Sequence, residues 1–192
     1  MKKQVLLLLL IFLAQALWGQ DKPVGSAGIG VMYSNDFAAE INGRNTPVFN
    51  LGIFVYGDFI YLQVISGLFY GTADNSRLNY LGAELGLFGK FPFMIIPGIF
   101  LFPLLGFEFE GALVAVYDNM FFKNRHIKWN QFWFKAGAGL DYVIKEKVHL
   151  RLEGLYGIRL RSGAGNTLEN ETRLVFNDNL GHSFTVRMAV GL

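Results

Sequence analysis

The sequence predicts an all-β protein, an eight-stranded antiparallel transmembrane β-barrel preceded by a cleavable signal peptide. Three observations predict it. Apolar residues alternate with polar or small ones along most of the chain, and a period of two is the mark of strands. Glycine (23 of 192 residues) and aromatics (16%) are abundant while charge is sparse at 17%, a composition that suits pleated strands and excludes a disordered chain. The longest solidly apolar run spans residues 5–13, far short of the ~20 residues a spanning helix needs.

The start reads as an export signal. Lys2 and Lys3 form a positive flank, residues 5–13 an apolar stretch, and Ala14-Gln15-Ala16 a small-residue cleavage site, with Gly19 a second candidate. Residues 1–19 are therefore assigned as signal peptide, cut after Ala16 or Gly19, and residues 20–192 as the barrel. The chain has no cysteine, which excludes a lipidated cysteine, disulfides and thiolate chemistry together. Loss of Lys2 and Lys3 from the 17 basic residues leaves as many basic as acidic groups, 15 of each. A neutral exported chain offers nothing to nucleic acid.

The strands follow in order. Ala27, Ile29, Val31 and Tyr33 share one face of the first. Phe49, Leu51, Ile53 and Val55 share that of the second, and Ile60, Leu62, Val64, Ser66, Leu68 and Tyr70 that of the third. Leu81, Ala83, Leu85 and Leu87 mark the fourth; Leu101, Pro103, Leu105, Phe107 and Phe109 mark the fifth. In the sixth, Phe132, Phe134, Ala136, Ala138, Leu140 and Tyr142 alternate with Trp133, Lys135, Gly137, Gly139 and Asp141. Leu150, Leu152, Tyr156, Ile158 and Leu160 mark the seventh, and Phe184, Val186, Met188, Val190 and Leu192 the eighth. None of these faces carries a charge. The opposite faces carry Glu84, Glu108, Glu110, Lys135, Asp141, Arg151, Glu153, Arg159, Arg161 and Arg187. A soluble barrel of lipocalin type turns its apolar face inward. Rows of large aliphatics and aromatics opposite small residues and balanced charges instead suit lipid outside and a narrow lumen inside.

Short and long connections alternate. Gly57-Asp58 reads as a two-residue hairpin turn, with glycine supplying the positive φ of a II′ turn. Lys145-Glu146-Lys147 reads as a three-residue turn. Longer polar excursions span 35–47, 71–77, 117–130 and 162–181. Segment 91–98 (FPFMIIPG) should be a short turn but is apolar, and is read as an interfacial loop dipping toward lipid. Pro103 removes a ladder donor, so a bulge is expected there. A turn centred on Glu146 sets Asp141 opposite Arg151, Gly139 opposite Glu153 and Trp133 opposite Arg159.

The ten inward charges have two readings, the lining of a pore or a salt-bridge network that plugs the lumen. Eight strands leave an interior just wide enough for side chains, and buried charges must pair, so a plug is expected. In the third excursion Phe121, Phe122 and Trp129 mix with Lys123, Arg125 and Lys128. Such a surface suits an anionic glycolipid or a host ligand; the plainer reading is an anchor at the headgroups. The histidines are His126, His149 and His182. Neighbours on a strand point to opposite faces, so His182 and Ser183 cannot form a nucleophile–base pair. No metal spacing, phosphate loop or paired-carboxylate motif is present, so no catalytic residue, metal or cofactor is assigned.

The C-terminal alternation Phe184, Val186, Met188, Val190, Leu192 resembles the insertion signal of bacterial outer-membrane proteins, with Leu192 where the family usually ends in Phe. With the signal peptide and eight strands, residues 27–192 resemble the small barrels of the outer-membrane protein A, X and W type. The resemblance implies the outer membrane of a diderm bacterium, with outer-membrane lipid as partner and the barrel-assembly machinery during biogenesis. It implies a non-enzymatic role in envelope integrity or in surface interaction through the loops, with an unidentified extracellular ligand. The alternatives it brings are a narrow channel for small or apolar solutes, as in W-type members, and a lipid-modifying enzyme. The fold hosts all of these.

Overall fold

The protein is described by a computed structural model covering residues 25–41, 44–59, 61–73, 78–117, 120–123, 130–144, 148–163 and 181–192. The expected signal peptide, residues 1–19, lies outside them. Ten strands run in chain order: β1 (Ala27–Ile41), β2 (Arg44–Phe59), β3 (Leu62–Ala73), β4 (Leu78–Lys90), β5 (Phe93–Ile96), β6 (Ile99–Tyr117), β7 (Met120–Lys123), β8 (Asn130–Ile144), β9 (Val148–Gly163) and β10 (His182–Gly191). Eight of them are staves. Sequential neighbours pair antiparallel, β1 pairs β10, and β4 pairs β6 across β5, which closes the sheet. Closure leaves no open edge between staves, the condition for a sheet in lipid.

The closure is staggered. Following paired residues from Asn35 through Phe49, Thr72 and Asn79 reaches Val116 on β6; going the other way through Phe184, Tyr156 and Ala136 reaches Leu105, eleven residues earlier on the same strand. Such a stagger tilts strands and sets the width of a barrel. It includes one extra residue, because Leu81 pairs with Val114 but Gly82 with Ala112. The irregularity in β6 therefore sits at Leu113. Pro103 needs none: it pairs in register with Ala138, and its carbonyl accepts the Phe91 N–H. Its missing N–H thus points where β4 gives way to β5, and the expected bulge at Pro103 is corrected.

Burial is inside-out. Leu51 is 65% exposed and Ile53 57%, whereas Arg187, Lys135 and Glu108 are 0% exposed. Every row predicted to face lipid faces outward. Tyr33, Phe37, Phe49, Tyr70, Phe109, Phe132, Tyr156 and Phe184 lie outward near one end of the ladders, and Phe59, Tyr61, Phe91 and Tyr142 near the other. Aliphatics such as Val31, Ile53, Leu68, Leu85, Leu105 and Val190 fill the band between, the arrangement of a barrel seated in a bilayer. A slip of one residue would turn Lys135 or Arg187 to lipid, at about 2–4 kcal/mol each near the midplane.

Three connections differ from expectation. Phe59 pairs with Leu62 and Asp58 with Gln63, so the β2–β3 ladder runs on past Gly57-Asp58, and Asp58 is a buried, inward strand residue rather than a turn residue. Segment 35–47 is mostly ladder: β1 and β2 pair through Glu40 with Asn45 and Ile41 with Arg44. Segment 91–98 is a hairpin end, described below. The β8–β9 register is as expected: Ile144 pairs with Val148, Asp141 with Arg151, Gly139 with Glu153 and Trp133 with Arg159; the expected turn itself, 145–147, lies outside the described residues.

Lumen glycines make room for rings. A Cβ on Gly139 would lie 2.3 Å from the Phe102 ring, and one on Gly137 would lie 2.0 Å from the Gly154 carbonyl oxygen. Gly154 faces outward with nothing within 4 Å of such a carbon. Gly137→Ala is expected to lower barrel stability by about 1–3 kcal/mol, the range for overpacking, and Gly154→Ala to leave it unchanged. Urea unfolding in detergent, read by heat-modifiable gel mobility, checks both.

Candidate functional site: a charge-filled lumen

The lumen holds two ion-pair clusters. At the end that carries the termini, Arg151 grips Asp141 with two hydrogen bonds, Nε to Oδ1 at 2.7 Å and Nη2 to Oδ2 at 2.6 Å. The same Nη2 donates to Asp58 at 2.5 Å. Lys90 donates to Asp58 at 2.5 Å and lies 3.4 Å from Asp141. Ser26 adds a hydroxyl donor to Asp58 at 3.1 Å. Two cations thus face two anions. Their aromatic neighbours complete the floor: the Arg151 guanidinium lies 4.0 Å from the Tyr56 ring centre, and the Lys90 ammonium 4.4 Å from that of Phe102, close enough for cation–π attraction.

The middle is acid-rich. Glu108 bridges two cations, accepting from Lys135 on one oxygen and from Arg187 on the other. Lys135 also donates to Glu110 at 3.1 Å and to the Thr185 hydroxyl at 3.2 Å. Arg187 lies 3.6 Å from Glu84 and 3.9 Å from Glu153. Gln63 donates to Glu153 at 2.6 Å, and Arg151 reaches Glu153 at 3.8 Å, which joins the two clusters. The carboxylates of Glu84, Glu108 and Glu110 converge within 4.8 Å of one another. Lys135 and Arg187 already bring two positive charges to those three carboxylates, and a metal ion there would compete with both. Closer to the far end Tyr80 donates to Asn50 at 2.5 Å, and Asn50 donates to Ser34 at 3.0 Å and to Asp36 at 3.2 Å.

The sequence reading assigns no partner role in the lumen to Asp36, Asn50, Asp58, Gln63 and Lys90; it sets Trp133 inward opposite Arg159 but takes the inward faces as small and charged, which understates the rings. Phe54, Tyr56, Phe69, Phe88, Phe102 and Trp133 are buried inside, so the lumen is filled by aromatics as much as by charge. The signal was parity: Asp58 follows Phe54 and Tyr56 at steps of two, and Lys90 follows Phe88.

No family model matches the chain, and no curated relative matches it. Solved structures do. Neisserial surface protein A is similar at 8% identity over 88% of this chain and 96% of that one, with a TM-score of 0.58. The fold is that of a small outer-membrane β-barrel. Further matches are the attachment invasion locus protein Ail of Yersinia pestis (15% identity, 88% of this chain and 97% of that chain, TM-score 0.40) and a de novo designed transmembrane β-barrel (19%, 91% and 100%, TM-score 0.35).

The remaining predicted residues of the outer-membrane barrel are placed as follows. Phe184, Met188, Val190 and Leu192 are exposed on the lipid side, with Val186 half-buried among them. Arg159 is buried 5.9 Å from the Trp133 ring. The backbone of Arg161 pairs with Phe132, and its side chain lies outside the described residues. Phe121, Phe122 and Lys123 belong to β7, whose backbone folds back on the end of β6; their side chains, and Arg125, His126, Lys128 and Trp129, lie outside the description. His182 is exposed and Ser183 buried. His182 Nδ1 instead shares a 2.6 Å hydrogen bond with the Tyr156 hydroxyl on the outer wall.

Proposed function

We propose that this outer-membrane barrel is non-enzymatic and acts as an envelope component, engaging its surroundings through its lipid-facing wall and outer loops rather than by passing solutes. The observation that carries the reading is the ion-pair column. Charged and aromatic side chains fill the lumen from Asp58 and Arg151 to Asp36 and Tyr80, and paired groups this buried are costly to part. Purified protein in planar bilayers is expected to show no unitary conductance; reproducible steps would replace the plug by the narrow-channel reading. The outward loop orientation has its own test. Cysteine at Asn124 should react with an impermeant maleimide on intact cells, and cysteine at Glu146 should not. On the same reading the third loop meets anionic glycolipid at the cell surface. Reversing Lys123, Arg125 and Lys128 to glutamate should then weaken detergent resistance of cells and leave barrel folding unchanged.

A further inference from the structure

At the end that carries Ala27 and Leu192, one hairpin outlasts the β2–β3 pair beside it. β3 ends at Leu62, paired with Gly89, and the last bond from that side is the Lys90 N–H to the Tyr61 carbonyl. The ladder with β6 continues past this point. Lys90 pairs with Leu104, the Phe91 N–H donates to Pro103, Phe93 pairs with Leu101 and Met94 with Phe100. β5 is therefore β4 resumed after Pro92. The chain reverses at Pro97-Gly98, where Gly98 takes φ +81° and its carbonyl accepts the Val143 N–H at 2.8 Å. A proline followed by a glycine of positive φ is the chemistry of a type II turn. The turn bonded to β8 holds the hairpin in line with the wall.

Residues 91–107 contain no ionisable group. Phe91, Ile95 and Ile96 are 48%, 54% and 54% exposed. The segment that joins β8 to β9 at the same end, Lys145-Glu146-Lys147, is wholly charged. We propose that the β5–β6 hairpin is a lipid-binding element, seated in the boundary between headgroups and acyl chains of the adjacent leaflet. Continuity with the lipid-facing wall carries the choice of occupant: the hairpin extends the staves that present Leu87 and Leu105, both 51% exposed. Tyr61 and Phe91, rings 6.4 Å apart, stand where it leaves the barrel, at the place interfacial aromatics take. Pairing along β6 lets the backbone approach lipid with that side hydrogen-bonded. The apolar belt is then deeper beside β4 and β6 than beside β2 and β3, and the membrane meets the mismatch by tilt or local thickening.

The chain lacks cysteine, so each introduced cysteine is a unique label site. Nitroxides at Ile95, Ile53 and Glu146 are compared in phosphatidylethanolamine–phosphatidylglycerol vesicles, with heat-modifiable mobility confirming the fold of each. Collision with oxygen is measured against collision with a water-soluble nickel chelate. The oxygen-to-nickel ratio at Ile95 is expected to fall between those at Ile53 and Glu146, several-fold above the latter. A ratio at Ile95 equal to that at Glu146 puts the hairpin in water and overturns the proposal. Shielding from both reagents with spin–spin broadening assigns the patch to a second copy and overturns it as well. Nickel access at Ile53 would overturn the membrane seat itself, and the proposal with it.

Discussion

Arg187→Met is expected to lower the unfolding free energy of the barrel by about 3–5 kcal/mol, the range for breaking a buried pair from one side. Arg187 is 0% exposed and holds one oxygen of Glu108 while lying 3.6 Å from Glu84 and 3.9 Å from Glu153. Its guanidinium also sits 5.7 Å from the Phe54 ring centre and 5.6 Å from that of Phe88. Methionine fills much of the volume but leaves Lys135 to face Glu84, Glu108 and Glu110. Glu84→Gln alone is expected to change little, because the middle cluster already has more carboxylates than cations. Added to Arg187→Met, it should recover part of the loss. Urea unfolding of the two single variants and the pair measures this. A neutral Arg187→Met would mean that water, not Arg187, stabilises the carboxylates.

The floor cluster should respond asymmetrically. Asp141→Asn leaves Arg151 its 2.5 Å bond to Asp58, so it is expected to cost about 1.5–3 kcal/mol, the worth of hydrogen bonds to a charged group. Arg151→Gln leaves Asp58 and Asp141 with Lys90 as their one cation among the described residues, beside the Ser26 hydroxyl on Asp58, and is expected to cost more, about 3–5 kcal/mol. The double variant should fall short of the sum by about 0.5–3 kcal/mol, the range for residues in one network. Additive losses would mean that the two groups do not meet, and with them the β8–β9 register would fall. On sequence alone Arg151 has one facing partner, Asp141. Asp58 changes it, because the turn assigned to Gly57-Asp58 had taken that carboxylate out of the lumen.

That error shows where local signals stop. Gly57-Asp58 has turn chemistry, yet both residues sit in the ladder, paired with Val64 and Gln63. Pairing with β3 as far as Phe59 and Leu62 outweighed the local preference. Between 35 and 47 the polar composition suggests an excursion, yet ladder pairing there reaches Ile41 and Arg44. The apolar 91–98 segment had no parity of its own to read, because its residues are apolar on both faces; continuation of the β4–β6 ladder settled its form.

Which residues face lipid and which face the lumen was in the sequence, because a strand alternates its side chains whatever its partners. So was the pairing of Asp141 with Arg151, because a three-residue turn sets the register of the strands it joins. Which charges meet across the lumen was decided by tertiary structure. Arg187 and Glu108 are 79 residues apart and lie on strands that do not pair. Their meeting depends on the stagger with which the sheet closes, since the stagger sets which residues of opposite staves share a level, and no single strand or turn carries that quantity.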